Sequence, residues 1–337
     1  MGNTAAPQKV RRIACPKPLA FTANGGDSQQ IPGGMLLREI TLRLTFGLTT
    51  SANLAAAAIL AGGEWGLIKT ISIKAGTEVI KEFSGEELRV FNMLWFRRRP
   101  RPRLTLGSTT TNVDSMLILP FWDPLSRRPI DCALNTSAYG NLRIEVQWNN
   151  YDKIASTATA FATTPQLEWD MEASTGAPDN MTIFECRTQR LQLAGPSAAQ
   201  TDFPVVLQTG LTAIRSLLLY CKDASTPQAD LVNKITSVKL KALNTNIWES
   251  TFSSIRDQAL WRLGLAELVA SGAKASICQD AQFDLDNYAF FDFCRDGLLS
   301  EAFPTFKLSD LRLLLTTNAA VNNIYVVQNF LIPPTNG

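Results

Sequence analysis

Histidine is absent from the 337-residue chain. Its absence removes every catalytic triad and metal site built on imidazole, and the usual proton switch near neutral pH. Charge is sparse: Asp, Glu, Lys and Arg make up 18% of the residues and sum to a net +2, so the chain as a whole is no electrostatic magnet for nucleic acid. The six cysteines, at positions 15, 132, 186, 221, 278 and 294, show neither a C-x-x-C pair nor zinc spacing, and read as free thiols in a reducing compartment. No stretch is apolar for the roughly 20 residues that a membrane span requires; the most apolar, "ANLAAAAILAGG", is short and alanine-rich. The N-terminal segment "MGNTAAPQKVRRIACPKP" lacks the apolar run of a signal peptide, and Ala6 stands where a myristoylation signal takes Ser or Thr. The expectation is a chain that remains soluble where it is made. Glycines in "GGEWG" and "NGGDS" form neither a dinucleotide-binding nor a Walker pattern, and are read as loops.

What the sequence does contain is strand periodicity. In "REITLRLTFGLTT", Ile40, Leu42, Leu44, Phe46 and Leu48 alternate with polar or small residues, the period of a half-buried strand. "GLIKTISIKAGTEVIKEF" reads as a hairpin turning at Ala75-Gly76-Thr77, with Ile68, Ile71 and Ile73 before the turn and Val79, Ile80 and Phe83 after it. The spacing in "SGEELRVFNMLW" predicts a helix, with Ser84 and Glu87 set as a capping box. Further strands are expected in "DSMLILPFW", "NLRIEVQW" and "TPQLEWDMEA".

The second half repeats this order. "AIRSLLLYCK" matches "LLREITLRLT", pairing Arg215 with Arg38 at a separation of 177. "ITSVKLKALNTNIWESTF" is a second hairpin, with Asn-Thr-Asn expected at its tip and Ile247 matching Ile80 at 167. "SSIRDQALW" ends in Trp261 as the first helical stretch ends in Trp95. The segment from Phe290 lies without gaps over the segment from Phe121 at 169, pairing Asp123 with Asp292, Thr136 with Thr305 and Leu142-Arg143 with Leu311-Arg312. Four segments in one order imply two copies of a domain-sized unit, far longer than a solenoid repeat. The break is expected in "EASTGAPDNMT", Glu172–Thr182. The copies differ in charge: residues 1–168 hold 19 Lys/Arg against 13 Asp/Glu, and the rest 13 against 17.

Many short strands with one short helix between an early hairpin and later strands suit an antiparallel sandwich. The predicted class is all-β, two tandem eight-stranded jelly-roll barrels with short helices in inter-strand loops. The division is residues 1–17 as an N-terminal arm, 18–175 as the first jelly roll and 176–337 as the second. The order "GMLLREITLRL", "GLIKTISIKAGTEVIKEFSGEEL" and "LNTSAYGNLRIEVQW", extended in the second copy by "IRSLLLY", "ITSVKLKALNTNIWES" and "YAFFDFCRDGLLS", resembles the double jelly-roll major capsid proteins of tailless icosahedral DNA viruses, the tectivirus–adenovirus lineage. That resemblance covers nearly the whole chain. It implies a structural virion protein, with a bacteriophage the favoured source, in which homotrimers form pseudo-hexagonal capsomers and tile an icosahedral shell. It implies no enzymatic activity and no cofactor. The implied partners are neighbouring capsomers, minor capsid and vertex proteins, and an internal membrane where one underlies the shell. Synthesis would be in the host cytoplasm, and about 168 residues per copy leave little length for surface towers.

The candidate assembly contacts are basic. "FRRRPRPR" places Arg97, Arg98, Arg99, Arg101 and Arg103 within eight residues, and its prolines favour an extended, exposed segment. It reads as an inter-subunit contact, a solvated loop or, least of all, a genome-binding or membrane-binding arm; "RLGLAEL" after Trp261 carries no such run. Lys9, Arg11 and Arg12 (with Lys17) form a second cluster, read equally as a capsomer fastener and as a frayed tail. A rival from another class is a tandem β-sandwich carbohydrate-binding protein or glycosidase. It would use a carboxylate pair from Glu168, Asp170 and Glu172 or from Asp284, Asp286 and Asp292, with Trp65, Trp122, Trp148, Trp169 and Trp248 stacking on sugars. Alternation favours reading the first trio instead as the wet face of a strand opposite Leu167, Trp169 and Met171, over a catalytic or calcium-binding cluster.

Overall fold

The alternation in residues 35–50 is realised as one long strand in which Ile40, Leu42, Leu44, Phe46 and Leu48 are all buried. The structure is a computed structural model that describes residues 10–14, 17–55, 58–97, 104–127, 132–175, 184–210, 213–223, 231–265, 285–306 and 308–332. They fall into two compact units, one within residues 1–55, 62–187 and 333–337, the other within 56–61 and 188–332.

The first unit contains β1 (Val10–Ala14), β2 (Leu19–Ala20), β3 (Gly26–Gln30), β4 (Met35–Thr50), β5 (Ile68–Ala75), β6 (Glu78–Phe83), α1 (Gly85–Phe96), β7 (Thr110–Pro120), β8 (Leu134–Asn135), β9 (Leu142–Trp148) and β10 (Ala158–Thr175). One sheet has the order β1-β10-β4-β7, with β2 extending the β1 edge along β10 and β8 extending the β7 edge along β4. The other has the order β3-β9-β5-β6. Apart from the short strands β2 and β8, which stay in the sheet of the strand before them, successive strands pass back and forth between the sheets except at the β5–β6 hairpin, the connectivity of an eight-stranded jelly roll. All ladders in the unit's two sheets are antiparallel.

The second unit repeats this plan with β11 (Glu185–Ala194), β12 (Gln200–Val206), β13 (Ala213–Lys222), β14 (Leu231–Val232), β15 (Ile235–Ala242), β16 (Thr245–Thr251), α2 (Phe252–Arg262), β17 (Ala289–Asp292), β18 (Phe303–Pro304), β19 (Leu311–Thr317) and β20 (Asn323–Ile332). Its sheets run β11-β20-β13, with β14, β17 and β18 sharing the far edge of β13, and β12-β19-β15-β16. The core draws on both: Leu217 and Leu219 from β13, Val326 from β20, Val238 from β15, and Leu313 and Leu315 from β19 are all buried. The fold is thus the predicted one, two jelly rolls in one chain.

The correspondence reaches single residues. A β-bulge interrupts β5–β6 between Ile73 and Lys74, and another interrupts β15–β16 between Leu240 and Lys241, 167 residues on. At the hairpin tips Gly76 and Leu243, again 167 apart, both take positive φ (61° and 52°). Their amides donate to Asn141 O at 3.1 Å and Asp310 O at 3.0 Å. Glycine adopts that conformation freely; leucine does so at a steric cost. Ser84 caps α1 through a capping box, its Oγ accepting from Glu87 N at 3.1 Å and its own N–H donating to Glu87 Oε2 at 2.6 Å. Thr251 caps α2 at the same offset, accepting from Ser254 N at 3.2 Å.

Three expectations need correction. The second hairpin turns at Leu243-Asn244, because Ala242 pairs directly with Thr245, so Thr245 and Asn246 already belong to β16. The first four residues of the expected linker, Glu172–Thr175, continue β10 and pair with Glu39, Leu37, Leu36 and Met35 of β4; residues 176–182 lie outside the described ones. Trp261 is also no counterpart of Trp95: Trp95 is 8% exposed and Trp261 is 81% exposed. Matching the two caps pairs Trp95 with Arg262 instead, and one residue of slip turns a helical side chain by about 100°.

Candidate functional site

Of the basic candidates, Arg97 is the best placed. It follows the last residue of α1, takes the left-handed conformation at φ 53°, and is exposed. That conformation ends the helix and redirects the chain. Arg98, Arg99, Arg101 and Arg103 lie outside the described residues, as does Lys9. α2 leaves differently: its cap residue Leu263 stays in the right-handed region and Gly264 takes φ 69°. Arg11 and Arg12 belong to β1, where their backbones pair with Ala173 and Glu172 of β10. This edge strand carries no apolar alternation in "VRRIA" clear enough to announce it.

The carboxylates behave as sheet surface. Leu167, Trp169 and Met171 of β10 are buried, while Glu168, Asp170 and Glu172 face outward, wholly or partly exposed. Arg43 of β4 bridges Asp114 of β7 at 2.9 Å and Glu168 at 3.5 Å across three neighbouring strands. The hydrogen bond that Arg43 donates to Asp114, followed by the charges of Asp114 and Glu168, holds the Arg43 guanidinium above its ordinary range. Asp284 and the side chain of Asp286 lie outside the described residues. The tryptophans of the carbohydrate reading are mostly interior: Trp65, Trp148 and Trp169 are buried. Their indoles donate to Ser115 Oγ (2.8 Å), Ala20 O (2.8 Å) and Gln29 Oε1 (3.1 Å). Each donor is satisfied inside the protein, as a core tryptophan requires.

Asp123 and Asp292, matched at 169, share a local role. Asp123 Oδ1 accepts from Leu125 N at 3.1 Å, and Asp292 Oδ1 from Cys294 N at 3.0 Å, so each carboxylate closes the turn that follows it. Asp292 also pairs with Arg215 of β13 and Arg262 of α2, and Arg215 and the Asp292 side chain are both buried. This ties the loop after β17 to the sheet and the helix.

Two buried polar groups gave no signal in the sequence. Lys81 of β6 is buried with its ammonium 5.5 Å from the centre of the Phe121 ring. Burial pushes its pKa down, against the opposing pull of Cys186, Cys132, Asp123 and Glu185. The Cys132 thiol is hydrogen-bonded to Cys186, which together with burial pushes it up. Cys132, Cys186, Cys221 and Cys294 are all buried thiols, inert in that state. Trp65, Ser115 and Glu64 form a second buried chain, Ser115 Oγ donating to Glu64 Oε1 at 2.9 Å, with Arg89 3.8 Å from Glu64. Both arrangements lie within residues 62–187 of the first compact unit. Among the described residues no three or more Asp, Glu or Cys gather as a metal site.

No protein-family model matches the sequence, and no curated protein is similar to it. Solved structures are. The fold places the chain in the class of double jelly rolls, and its structural relatives in that class are viral. The major capsid protein of STIV, Sulfolobus Turreted Icosahedral Virus, superposes with a TM-score of 0.73 at 13% identity, covering 97% of each chain. The major capsid protein P2 of bacteriophage PM2 gives 0.62 at 12% identity, over 98% of this chain and 100% of the other. A chain of the PBCV-1 virus capsid gives 0.64 at 11%, over 98% and 95%. At these identities the shared property is the fold, end to end and without a missing barrel.

Proposed function

We propose that the chain is the major capsid protein of a tailless icosahedral virus, with a bacteriophage the favoured source. It is a structural component of the virion shell rather than an enzyme. The observation that carries this reading is the end-to-end match to the STIV capsid protein, 97% of each chain. Three copies with two barrels each supply six similar blocks, so a three-fold ring acquires a nearly hexagonal outline that tiles a shell. Homotrimerisation comes first, and lateral contacts with neighbouring capsomers, with minor and vertex proteins and with any underlying membrane follow. The chain divides into an arm at 1–17, of which Val10–Ala14 adds an edge strand to the first barrel's sheet, a first barrel at 18–175 and a second at 176–337.

The basic segments give the ring its asymmetry. The run Arg97 to Arg103 follows the α1 segment in the sequence and has no counterpart after the α2 segment, so it would mark three of six positions, and the more acidic second half of the sequence offers a complementary neighbour. Lys9, Arg11 and Arg12 act from the other basic cluster as a fastener. Imaging of the purified chain tests the reading: single particles should average to a six-lobed ring with three-fold symmetry. Isolated two-lobed particles at all concentrations would contradict it. Replacing Arg97, Arg98, Arg99, Arg101 and Arg103 with Ala should weaken assembly and flatten its salt dependence without unfolding the chain.

A further inference from the structure

The sheets β1-β10-β4-β7 and β11-β20-β13 are counterparts in the duplicated design, and a shared irregularity fixes their match. β4 bulges at Arg38, between Leu37 and Glu39, which face Ala173 and Glu172 of β10. β13 bulges at Arg215, between Ile214 and Ser216, which face Phe330 and Asn329 of β20. Arg38 and Arg215 are the pair already matched at a separation of 177. At that separation the inward residues agree in kind: Ile40, Leu42 and Leu44 become Leu217, Leu219 and Cys221, all buried.

The outward residues differ. Thr41 and Arg43 of β4 become Leu218 and Tyr220 of β13. Their ladder partners change in the same sense: Asp170 and Glu168 of β10 become Val327 and Tyr325 of β20, and Ile118 of β7 becomes Phe290 of β17. Leu218, Tyr220, Val327, Tyr325 and Phe290 are at most 8% exposed, and the rings of Tyr220 and Tyr325 stack at 4.8 Å. β13 and β20 are thus closed on both sides within one chain. In the first barrel the same side is open. The side chains of Arg43, Asp114 and Glu168 are 53%, 54% and 52% exposed. Met116 of β7, directly opposite Arg43, is 55% exposed, the most of any large apolar side chain among the described residues of the first unit.

We propose that the outward face of β10-β4-β7 is the surface on which a second copy of this chain docks in the capsomer. The inference rests on the capsomer reading and names the face it uses. Size suits the role. The eleven residues of β7 extend about 37 Å and three strands cover about 14 Å across, so the face is on the order of 500 Å² before its side chains are counted. A standard interface takes about 800 Å² from each partner. Composition suits it as well. A surface that must be soluble before assembly stays as polar as the rest of the exterior, whereas one closed from the start, as around Leu218 and Tyr220, is free to be apolar. The contact is heterologous: the face meets a different surface of the next copy, as closure of a three-fold ring requires.

Analytical ultracentrifugation of the full chain tests the face. The parent should form trimers, and Met116→Arg should associate at least tenfold more weakly with an unchanged circular dichroism spectrum. Gln147→Arg, at an exposed position on the other sheet of the same barrel, should associate as the parent does. A second measurement carries the test if Met116→Arg fails to fold. Met116→Cys labelled with a benzophenone maleimide and irradiated should yield a species of twice the 37.0 kDa chain mass, which the parent treated in the same way does not. Its cross-links should map outside the β10-β4-β7 face of the second chain. Cross-links confined to the labelled chain, or joining two copies of the same face, overturn the inference. So does a parent trimer that Met116→Arg leaves intact, or one that Gln147→Arg weakens equally. Each of those results leaves the capsomer reading standing, whereas a parent that stays monomeric removes both.

Discussion

The contrast between Trp95 and Trp261 yields a quantitative prediction, because the chain supplies its own control. Trp95 is 8% exposed and packs on Phe91 with ring centres 4.7 Å apart and on Phe83 at 6.0 Å. Truncating a buried aromatic to alanine costs about 3–5 kcal/mol, through lost transfer energy and the hole left behind. Each aromatic pair adds about 0.5–1.5 kcal/mol of specific contact, which favours the upper half of that range here. Trp261 is 81% exposed, and substitutions at such surface positions usually fall within about 0.5 kcal/mol. Trp95→Ala and Trp261→Ala, compared by calorimetry on the same protein, should therefore separate widely. At about 2–4 °C per kcal/mol for a domain of this size, the first-barrel transition should drop by on the order of 10 °C in Trp95→Ala. The Trp261→Ala transitions should stay within about 2 °C of the parent. Equal losses in the two variants would refute the packing argument, and with it the residue matching between the two helices.

Asp292→Asn should be severe, about 3–5 kcal/mol by denaturant unfolding of the second barrel, because it removes the buried charge that pairs with the Arg215 guanidinium and with Arg262. Ser84→Ala should cost about 1 kcal/mol, since it removes the Oγ acceptor of the α1 capping box. Burial lowers the folded-state pKa of Lys81 below the ordinary lysine value of 10.5, so the cost of a buried cation is fully present below the folded pKa and fades as pH rises from there toward 10.5. The stability difference between the parent and Lys81→Met, measured as a function of pH, should therefore move in favour of the parent across that window; a difference independent of pH would contradict the assignment.

Much of this architecture is legible in the sequence, for local reasons. The alternation of Ile40 to Leu48 fixes a strand face, Ser84 and Glu87 announce a helix start, and the Asp123–Asp292 match marks a turn that both barrels close in the same way. Other features depend on quantities that pattern does not carry. The tip at Leu243-Asn244 relies on a leucine in a left-handed conformation that composition assigns to glycine or asparagine. Matching Trp95 with Trp261 was natural by residue type and wrong by one position, enough on a helix to replace a core ring with an outward one. Ile80 and Ile247 do occupy matching hairpin positions, yet the first is fully buried and the second 43% exposed, because burial is decided by what packs across the barrel. The partners of Lys81 are likewise decided by tertiary packing. For the candidate assembly residues, the described structure gives Arg97 a place at a helix end and Arg11 and Arg12 a place in an edge strand. Neither position follows from the density of arginines.

The central claim is self-association into trimers, and the native mass of the purified chain tests it most directly. One chain weighs 37.0 kDa, so light scattering or native mass spectrometry should report a stable species of about 111 kDa that persists on dilution. A strict monomer of 37.0 kDa at every concentration would contradict the capsomer account.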